Sequence, residues 1–218
     1  MASKKRLSAS ARRAQLIEVG RTVFAERGYE ATSVEILAER AGVSKPILYE
    51  HFGGKEGLYA VIVDREIEHV VSLISASIAE GSPRERVEAA ALAFLTYVEQ
   101  HPNGFAVLAH DAPAAARGTN MTSLLNEVAE RVGVVFAETF KAAGYNAKTA
   151  PIYAHALVGM VTFVGQWWTE ARGPSVEKVA SHIAGLAWMG LRHLPKKPAA
   201  IPRERVKAAR AIARRDDR

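Results

Sequence analysis

Apolar residues recur at three- and four-residue spacing along most of the chain, and no segment alternates apolar and polar residues as an exposed strand would. This period is that of an α-helix with one buried face. The first run extends from Leu7 to Gly28 and carries Leu16, Val23 and Phe24 on one stripe. The pattern predicts an all-α protein that begins with an amphipathic helix.

Two short helical patterns follow, and a tight turn separates them. Ser33 is placed to cap the first and Ser44 to cap the second, because a serine oxygen accepts from the free N–H groups of a helix start. Gly42 ends the first pattern, where a C-cap needs a left-handed residue. The three successive helices predict a helix-turn-helix in outline, although a plain helical hairpin in a core has the same signals.

In a helix-turn-helix, the second helix enters the major groove of DNA with its N-terminal end. The first residues of that helix then contact bases, and the residues next to it contact phosphates. The candidates for base contacts are Lys45, Pro46 and Tyr49. The candidates that lie near phosphates are Thr32, Ser33, Ser44, His51 and Lys55.

Five short motifs in this region resemble the TetR family of transcriptional regulators. They are F-A-E-R-G-Y at 24–29, T-S-V-E at 32–35, A-E-R-A-G-V-S at 38–44, L-Y-x-H-F at 48–52 and K-E-x-L at 55–58. The resemblance covers about the first sixty residues at motif level, and the rest through length and helical layout. It implies a homodimeric repressor of double-stranded operator DNA, with an N-terminal three-helix DNA-binding domain and a larger helical domain for ligand binding and dimerisation.

Charge is distributed unevenly along the chain. The formal net charge is +4 over residues 1–55, −4 over 56–195 and +6 over 196–218, which gives +6 in total. We expect a DNA-binding domain at 1–55, a ligand-binding and dimerisation domain at 56–195, and a basic C-terminal tail at 196–218. Lys4, Lys5 and Arg6 form a basic arm that suits DNA phosphates or serves only for solubility. The tail either reaches DNA or acidic partners or is a frayed terminus.

The middle of the chain predicts further helices at 54–80, 83–101 and about 121–143, with a short apolar segment at 105–110 and a loop at 111–120. The last two helices span about 150–170 and 175–193.

The first of these last two helices has no formal charge over the nineteen residues 150–168. One apolar face carries Ile152, Ala156, Gly159, Phe163 and Trp167, and a second carries Tyr153, Leu157, Met160, Val164 and Trp168. A run of this length meets the crude criterion for a membrane span, but His155, Thr162 and Gln166 interrupt it. We therefore expect no membrane span but burial on both sides, against the chain's own core and against a second copy. In the family that the sequence resembles, this helix pair forms the dimer interface.

Large apolar residues near the middle helices are candidates for a ligand pocket, although such residues at helical spacing also form solid cores. They are Phe94, Tyr97, Phe105, Leu108, Phe136, Tyr153, Phe163 and Trp167. The segments V-G-M at 158–160 and L-A-W-M-G-L-R-H-L-P at 186–195 are similar to actinobacterial TetR-like regulators that respond to long-chain acyl-CoA. The resemblance implies a small apolar or lipid-derived effector. An effector-independent dimeric regulator needs the same helices and remains the alternative.

Catalytic chemistry finds no support in the sequence. The chain has no cysteine, which excludes disulfides, thiolate zinc sites and cysteine nucleophiles. Its seven histidines form no zinc motif, and no phosphate-binding loop or nucleophile elbow is present. His110 beside Asp111 is best interpreted as a cap or loop. We expect no catalytic residues, no metal and no cofactor, and we expect a cytoplasmic protein because the first residues lack the apolar run of a secretory signal.

Overall fold

The computed structural model describes residues 7–109, 121–171 and 173–213, which form ten α-helices, one short 3-10 helix and no strand. The helices are α1 Ala9–Arg27, α2 Val34–Ala41, α3 Lys45–Phe52, α4 Lys55–Ser77, α5 Pro83–Gln100, α6 Pro102–Ala109, α7 Met121–Ala142, the 3-10 helix Ala147–Thr149, α8 Ala150–Ala171, α9 Val176–Arg192 and α10 Arg203–Ala213. The all-helical prediction is confirmed. The predicted arm with Lys4, Lys5 and Arg6, the predicted loop 111–120 and the His110–Asp111 pair lie outside the described residues.

Helices α1 to α4 pack around a common core at the N-terminal end. Leu16, Ile17 and Phe24 of α1 are buried, as are Leu37 of α2 and Leu48 of α3. This core needs a glycine on α1, because a Cβ at residue 20 would lie 2.9 Å from the side chains of both residue 58 and residue 62 of α4. The first three helices therefore form one unit with the start of α4.

A buried polar cluster joins this unit to the rest of the molecule. Glu66 of α4 is 3% exposed, and its Oε1 lies 2.7 Å from Nε of Arg21 on α1. Its Oε2 accepts a hydrogen bond of 2.8 Å from the hydroxyl of Tyr97 on α5. A Cβ on Gly104 of α6 would lie 2.2 Å from the same carboxylate oxygen, so only glycine fits there. The cluster ties α1 to α4, α5 and α6.

The larger domain is arranged around α5, which packs against α4, α8 and α9, while α7 packs against α8. A glycine again permits a close approach, because a Cβ on Gly165 of α8 would lie 3.0 Å from the ring of Phe94 on α5. Helix α10 follows a proline-containing segment, and nearly all of its described side chains are exposed.

Helix α8 differs from the prediction in which face it buries. The residues that α8 buries fully are Ala150, Ala154, Thr162 and Gly165, which lie on neither predicted face. The predicted face that carries Phe163 is exposed, and the second predicted face is half-buried. Gly165 lies against α5 and Ala154 lies against Gly133 of α7, while large side chains such as Phe163 are left outside. No described helix is long and apolar enough to cross a membrane.

Candidate DNA-binding surface and ligand cavity

The turn between α2 and α3 is formed by local capping. The Ser33 side chain accepts from the backbone N–H of Ile36 at 3.3 Å, which begins α2. Gly42 ends α2 in the left-handed region with φ 63°, and the N–H of Val43 donates to Ala38 at 2.9 Å. Ser44 occupies the N-cap position of α3, but its side chain makes no capping hydrogen bond and is exposed. Its hydroxyl is therefore accessible to another acceptor or donor.

Helix α3 is fixed from its inner side and at its C-terminal end. Leu48 is completely buried, and Arg13 of α1 donates from Nη1 to the carbonyl of His51 at 2.6 Å. The same guanidinium lies 4.4 Å from the centroid of the Phe52 ring. Sequence reasoning missed this contact, because Arg13 and His51 are far apart in the chain and only the packed fold brings them together.

The three candidates for base contacts share the exposed side of α3. Lys45 and Pro46 are exposed in its first turn, and Tyr49 is 54% exposed one turn later. Lys45 forms an ion pair with Glu35 of α2 and lowers the pKa of that carboxyl to about 2. Both groups are exposed, so the pair is weak in water and DNA phosphates can compete for the lysine.

The candidates for phosphate contacts differ in how accessible they are. Ser33 and His51 are half-buried near this surface. Lys55 is also half-buried, and its Nζ donates to the carbonyl of Tyr29 at 3.1 Å and lies 4.0 Å from the centroid of that tyrosine's ring. Thr32 does not fit the prediction, because it is 2% exposed and its hydroxyl donates to the carbonyl of Gly28 at 2.7 Å. The Thr32 hydroxyl therefore holds the loop before α2 and is not free to donate to a phosphate in this arrangement.

A cavity of about 330 Å³ lies between α4, α5, α7, α8 and α9. Its volume is that of a small-molecule pocket, and its walls are largely apolar. Val70 and Ile74 of α4, Val132 of α7 and Leu191 of α9 are among the lining residues. Five helices therefore surround a largely apolar space of small-molecule size.

Two of the eight predicted pocket residues line this cavity, Phe94 of α5 and Phe136 of α7. The other six lie elsewhere. Tyr97, Phe105 and Leu108 are buried in the core near α6 and do not line it. Tyr153 is half-buried against Phe140, with ring centroids 5.3 Å apart.

The pocket prediction is wrong for Phe163 and Trp167. Phe163 is 75% exposed and Trp167 is 55% exposed, both on the outer side of α8. Helical spacing marks a continuous apolar face but not the direction in which the tertiary fold turns it.

Two arginines that the prediction overlooked also line the cavity, Arg86 of α5 and Arg192 of α9. The Nε atom of Arg86 is buried without a hydrogen-bond partner. The sequence did contain a signal, because residues 86, 90 and 94 follow one another at four-residue spacing on the same face of α5. Among the described residues, no group of three or more His, Asp or Glu side chains is placed to hold a metal ion.

Comparison with protein families matches the chain in two parts. Residues 16–62 match the family described as bacterial regulatory proteins, tetR family. Residues 72–202, which are more than half of the chain, match the family described as tetracyclin repressor-like, C-terminal domain.

Individual relatives agree with the family matches. The HTH-type transcriptional activator FasR from Mycolicibacterium smegmatis is 29% identical over 193 residues, which cover 87% of each chain. The HTH-type transcriptional repressor KstR2 from Rhodococcus jostii is 45% identical over 49 residues, 22% of this chain and 24% of the repressor.

Solved structures show the same fold. A TetR-like transcriptional regulator from Rhodococcus sp. RHA1 is 27% identical and has a TM-score of 0.68, covering 87% of this chain and all of that one. The fatty acid degradation regulator FadR from Bacillus halodurans has a TM-score of 0.72 at 17% identity, with the same coverage, and shows the fold alone. The chain therefore belongs to the TetR family of bacterial regulatory proteins and is a DNA-binding transcriptional regulator, not an enzyme.

Proposed function

We propose that this protein is a ligand-responsive repressor that binds a palindromic operator as a homodimer and is controlled by an apolar or lipid-derived effector, with long-chain acyl-CoA as the first candidate. One observation carries the proposal. Val70, Ile74 and Ile78 at the C-terminal end of α4 line the cavity, while Leu58 and Ile62 near its start pack against α1. A single helix therefore contacts both the cavity and the DNA-binding unit.

On the DNA, α3 enters the major groove. Lys45, Pro46 and Tyr49 face bases, and Ser33, Ser44, His51 and Lys55 lie near phosphates. We assign DNA binding to residues 1–55 with the basic arm, ligand binding and dimerisation to 56–195, and no fixed role to the tail at 196–218. Because operator DNA in a bacterium lies in the cytoplasm, we place the protein there as well.

The dimer forms through α8 and α9. Large apolar side chains on these two helices are exposed in the single chain, including Ile152, Phe163 and Trp167 of α8 and Leu186 and Met189 of α9. Large apolar side chains that are exposed on neighbouring helices mark a candidate interaction surface. A two-fold dimer places its two α3 helices on half-sites about 34–36 Å apart, as a palindrome requires.

Regulation follows from the two states of this dimer. An effector that fits the cavity better in one arrangement of α4 favours that arrangement and changes the separation of the two α3 helices. DNA affinity then falls only by the effector's differential binding free energy between the two states, which is typically about 1–3 kcal/mol.

Activation is the second candidate for the direction of control. FasR, which matches 87% of this chain, is named an activator. The repressor KstR2 from Rhodococcus jostii matches only 22% of the chain. A dimer whose DNA binding does not respond to an effector is the remaining alternative. A cavity that is filled by the protein's own side chains would favour it.

Fluorescence anisotropy tests the proposal. The purified protein is titrated onto DNA from the intergenic region upstream of its own gene and onto a scrambled duplex, each with and without long-chain acyl-CoA. Preference for the upstream DNA with release by acyl-CoA supports the proposal. Preference without release removes the acyl-CoA effector, and equal binding to both duplexes contradicts binding at this operator. Transcription in vitro from the same promoter then distinguishes repression from activation.

A further inference from the structure

Helix α3 has little within itself to fix its direction. It is eight residues long, and it packs mainly against α2 and α4. Leu48 is its only fully buried residue, and Ser44 makes no capping hydrogen bond at its start. An element with so few buried apolar contacts is weakly held unless other groups hold its ends. The ends of α3 therefore decide how firmly it is placed.

Arg13 of α1 holds the C-terminal end of α3 in two ways. Its Nη1 donates to the carbonyl of His51 at 2.6 Å, and its Cζ lies 4.4 Å from the centroid of the Phe52 ring. The carbonyls in the last turn of a helix have no partner within that helix, and a cation beside them interacts favourably with the negative end of the helix dipole. One side chain thus attaches the last turn of α3 to α1 by a charge-assisted hydrogen bond and a cation–π contact.

A second side chain of α1 holds the end of α2 in a similar way. The Nε2 atom of Gln15 donates to the carbonyl of Ala41, the last residue of α2, at 3.2 Å. The Oε1 atom of Gln15 accepts from Nη1 of Arg12 at 2.7 Å, which sets the orientation of the amide. Arg13 and Gln15 are both half-buried. Helix α1 therefore holds the C-terminal ends of both helices of the helix-turn-helix.

The direction of α3 matters because base contacts form only over a short range. A hydrogen bond to a base edge needs its donor and acceptor about 2.7–3.2 Å apart. Tyr49 is exposed on α3 one turn after Lys45 and Pro46, so a tilt of the helix moves all three side chains together. Residues that only support a recognition element therefore decide how well its side chains meet their targets.

We infer that Arg13 and Gln15 are positioning residues for DNA recognition. They hold α3 and α2 against α1, and so fix the direction in which α3 presents Tyr49 to the bases, without contacting DNA themselves. This inference rests on the proposed function, in which α3 enters the major groove, and adds what fixes the direction of that helix.

Fluorescence anisotropy of the full-length protein tests the inference on two duplexes over a range of salt concentrations. One duplex is selected by the wild-type protein from a random-sequence library, and the other is its scrambled counterpart. Arg13→Met keeps a long side chain against the Phe52 ring but removes the donor and the charge. It should weaken binding to the selected duplex about tenfold, because the hydrogen bond from a charged group is lost and α3 is no longer held. Binding to the scrambled duplex and the salt slope should stay as in the wild type.

Gln15→Met is the second variant, and it changes no formal charge. It should weaken binding to the selected duplex by about threefold and spare the scrambled duplex, because it removes a neutral hydrogen bond. The matched charge control is Arg84→Met, which removes an exposed arginine of α5 that pairs with Glu88 and should bind both duplexes as the wild type does. Urea denaturation checks that each variant is folded under the assay conditions, and Gln15→Met tests the inference alone if Arg13→Met does not fold.

A double variant shows through which element Arg13 acts. Tyr49→Ala removes a side chain that α3 presents to the bases. Because Arg13 acts by placing that side chain, the losses from Arg13→Met and Tyr49→Ala should be less than additive on the selected duplex. Fully additive losses would mean that Arg13 acts independently of α3 and would overturn the inference.

Two further results would overturn it. An equal loss on both duplexes, with a salt slope lower by about one unit, would assign Arg13 to a phosphate. A lower melting temperature with unchanged affinity for the selected duplex would give Arg13 and Gln15 a role in stability alone. If Tyr49→Ala also binds as the wild type does, α3 does not enter the groove and this part of the proposed function fails as well. A loss in Tyr49→Ala alone removes only the inference.

Discussion

Tyr49 is the side chain whose removal tests the DNA-binding surface most directly. It is exposed on α3, whereas its neighbour Leu48 is the residue of this helix that is completely buried in the core. We expect Tyr49→Ala to cost about 1–3 kcal/mol of specific DNA binding, because a base contact is lost. Competition anisotropy against scrambled DNA measures the loss, and thermal unfolding should show an unchanged fold. Tyr49→Phe separates the ring from the hydroxyl, and full affinity in Tyr49→Ala would remove α3 from the groove.

Lys55 has two possible roles that one experiment separates. If its ammonium neutralises a phosphate, Lys55→Ala should lower the slope of log affinity against log salt by about one unit. Its hydrogen bond to the Tyr29 carbonyl and its position over that ring give it a structural role as well. A lower melting temperature with an unchanged salt slope would assign Lys55 to the fold alone. Lys178, exposed in the first turn of α9, is the control lysine, and its removal should change neither quantity.

At the scale of helices, the contact between α4 and α5 depends on a hydrogen bond at the buried carboxylate of Glu66. The hydroxyl of Tyr97 donates to that carboxylate, and burial raises the pKa of this tyrosine, with the nearby Glu66 as a second cause. Tyr97→Phe removes one donor from a buried charge, so we expect a loss of about 1.5–3 kcal/mol in the free energy of unfolding. Urea denaturation measures it.

Tyr145→Phe is the control, because its hydroxyl donates to the carbonyl of Leu194 at 3.0 Å in a half-buried position and to no charge. We expect this variant to lose clearly less. Equal losses in both variants would mean that Glu66 finds another donor. Because Glu66 also pairs with Arg21 of α1, Tyr97→Phe should in addition weaken the effect of an effector on DNA affinity if the cluster transmits it.

At the scale of the whole molecule, the exposed apolar side of α8 and α9 predicts that the protein is a dimer and that binding to a palindrome depends on this dimer. Leu186 of α9 is 68% exposed in the single chain, so a charge there costs the fold little but is unfavourable inside a dimer interface. We expect Leu186→Asp to yield monomers by analytical ultracentrifugation and to lose tight binding to the palindrome.

Leu92→Asp is the matched control, since this leucine is 40% exposed on α5. It should remain a dimer with normal DNA binding. A Leu186→Asp protein that stays dimeric at micromolar concentration would place the interface elsewhere on the molecule.

Local signals in the sequence determined the helices and the family. A helix follows from a period of 3.6 residues and from caps within four residues of its ends, so α1 to α5 and the turn at Gly42 were predictable within a few residues. The 3-10 helix before α8 was not predicted, although Asn146 caps it with a side-chain bond to the N–H of Lys148. Ser44 shows where prediction from the local sequence stops, because it occupies the N-cap position but its side chain makes no capping hydrogen bond.

Only the tertiary structure decided which surface of each helix faces inward. Both predicted faces of α8 are apolar, and only the packed fold places Gly165 against α5 and Ala154 against α7 and leaves Phe163 outside. The contact of Arg13 with the carbonyl of His51, 38 residues along the chain, likewise exists only in the packed fold. The physical reason is the separation along the chain of the residues that interact. Helix formation is decided by neighbours in sequence, whereas burial, cavities and pairing of charges are decided by the surfaces that meet when helices pack.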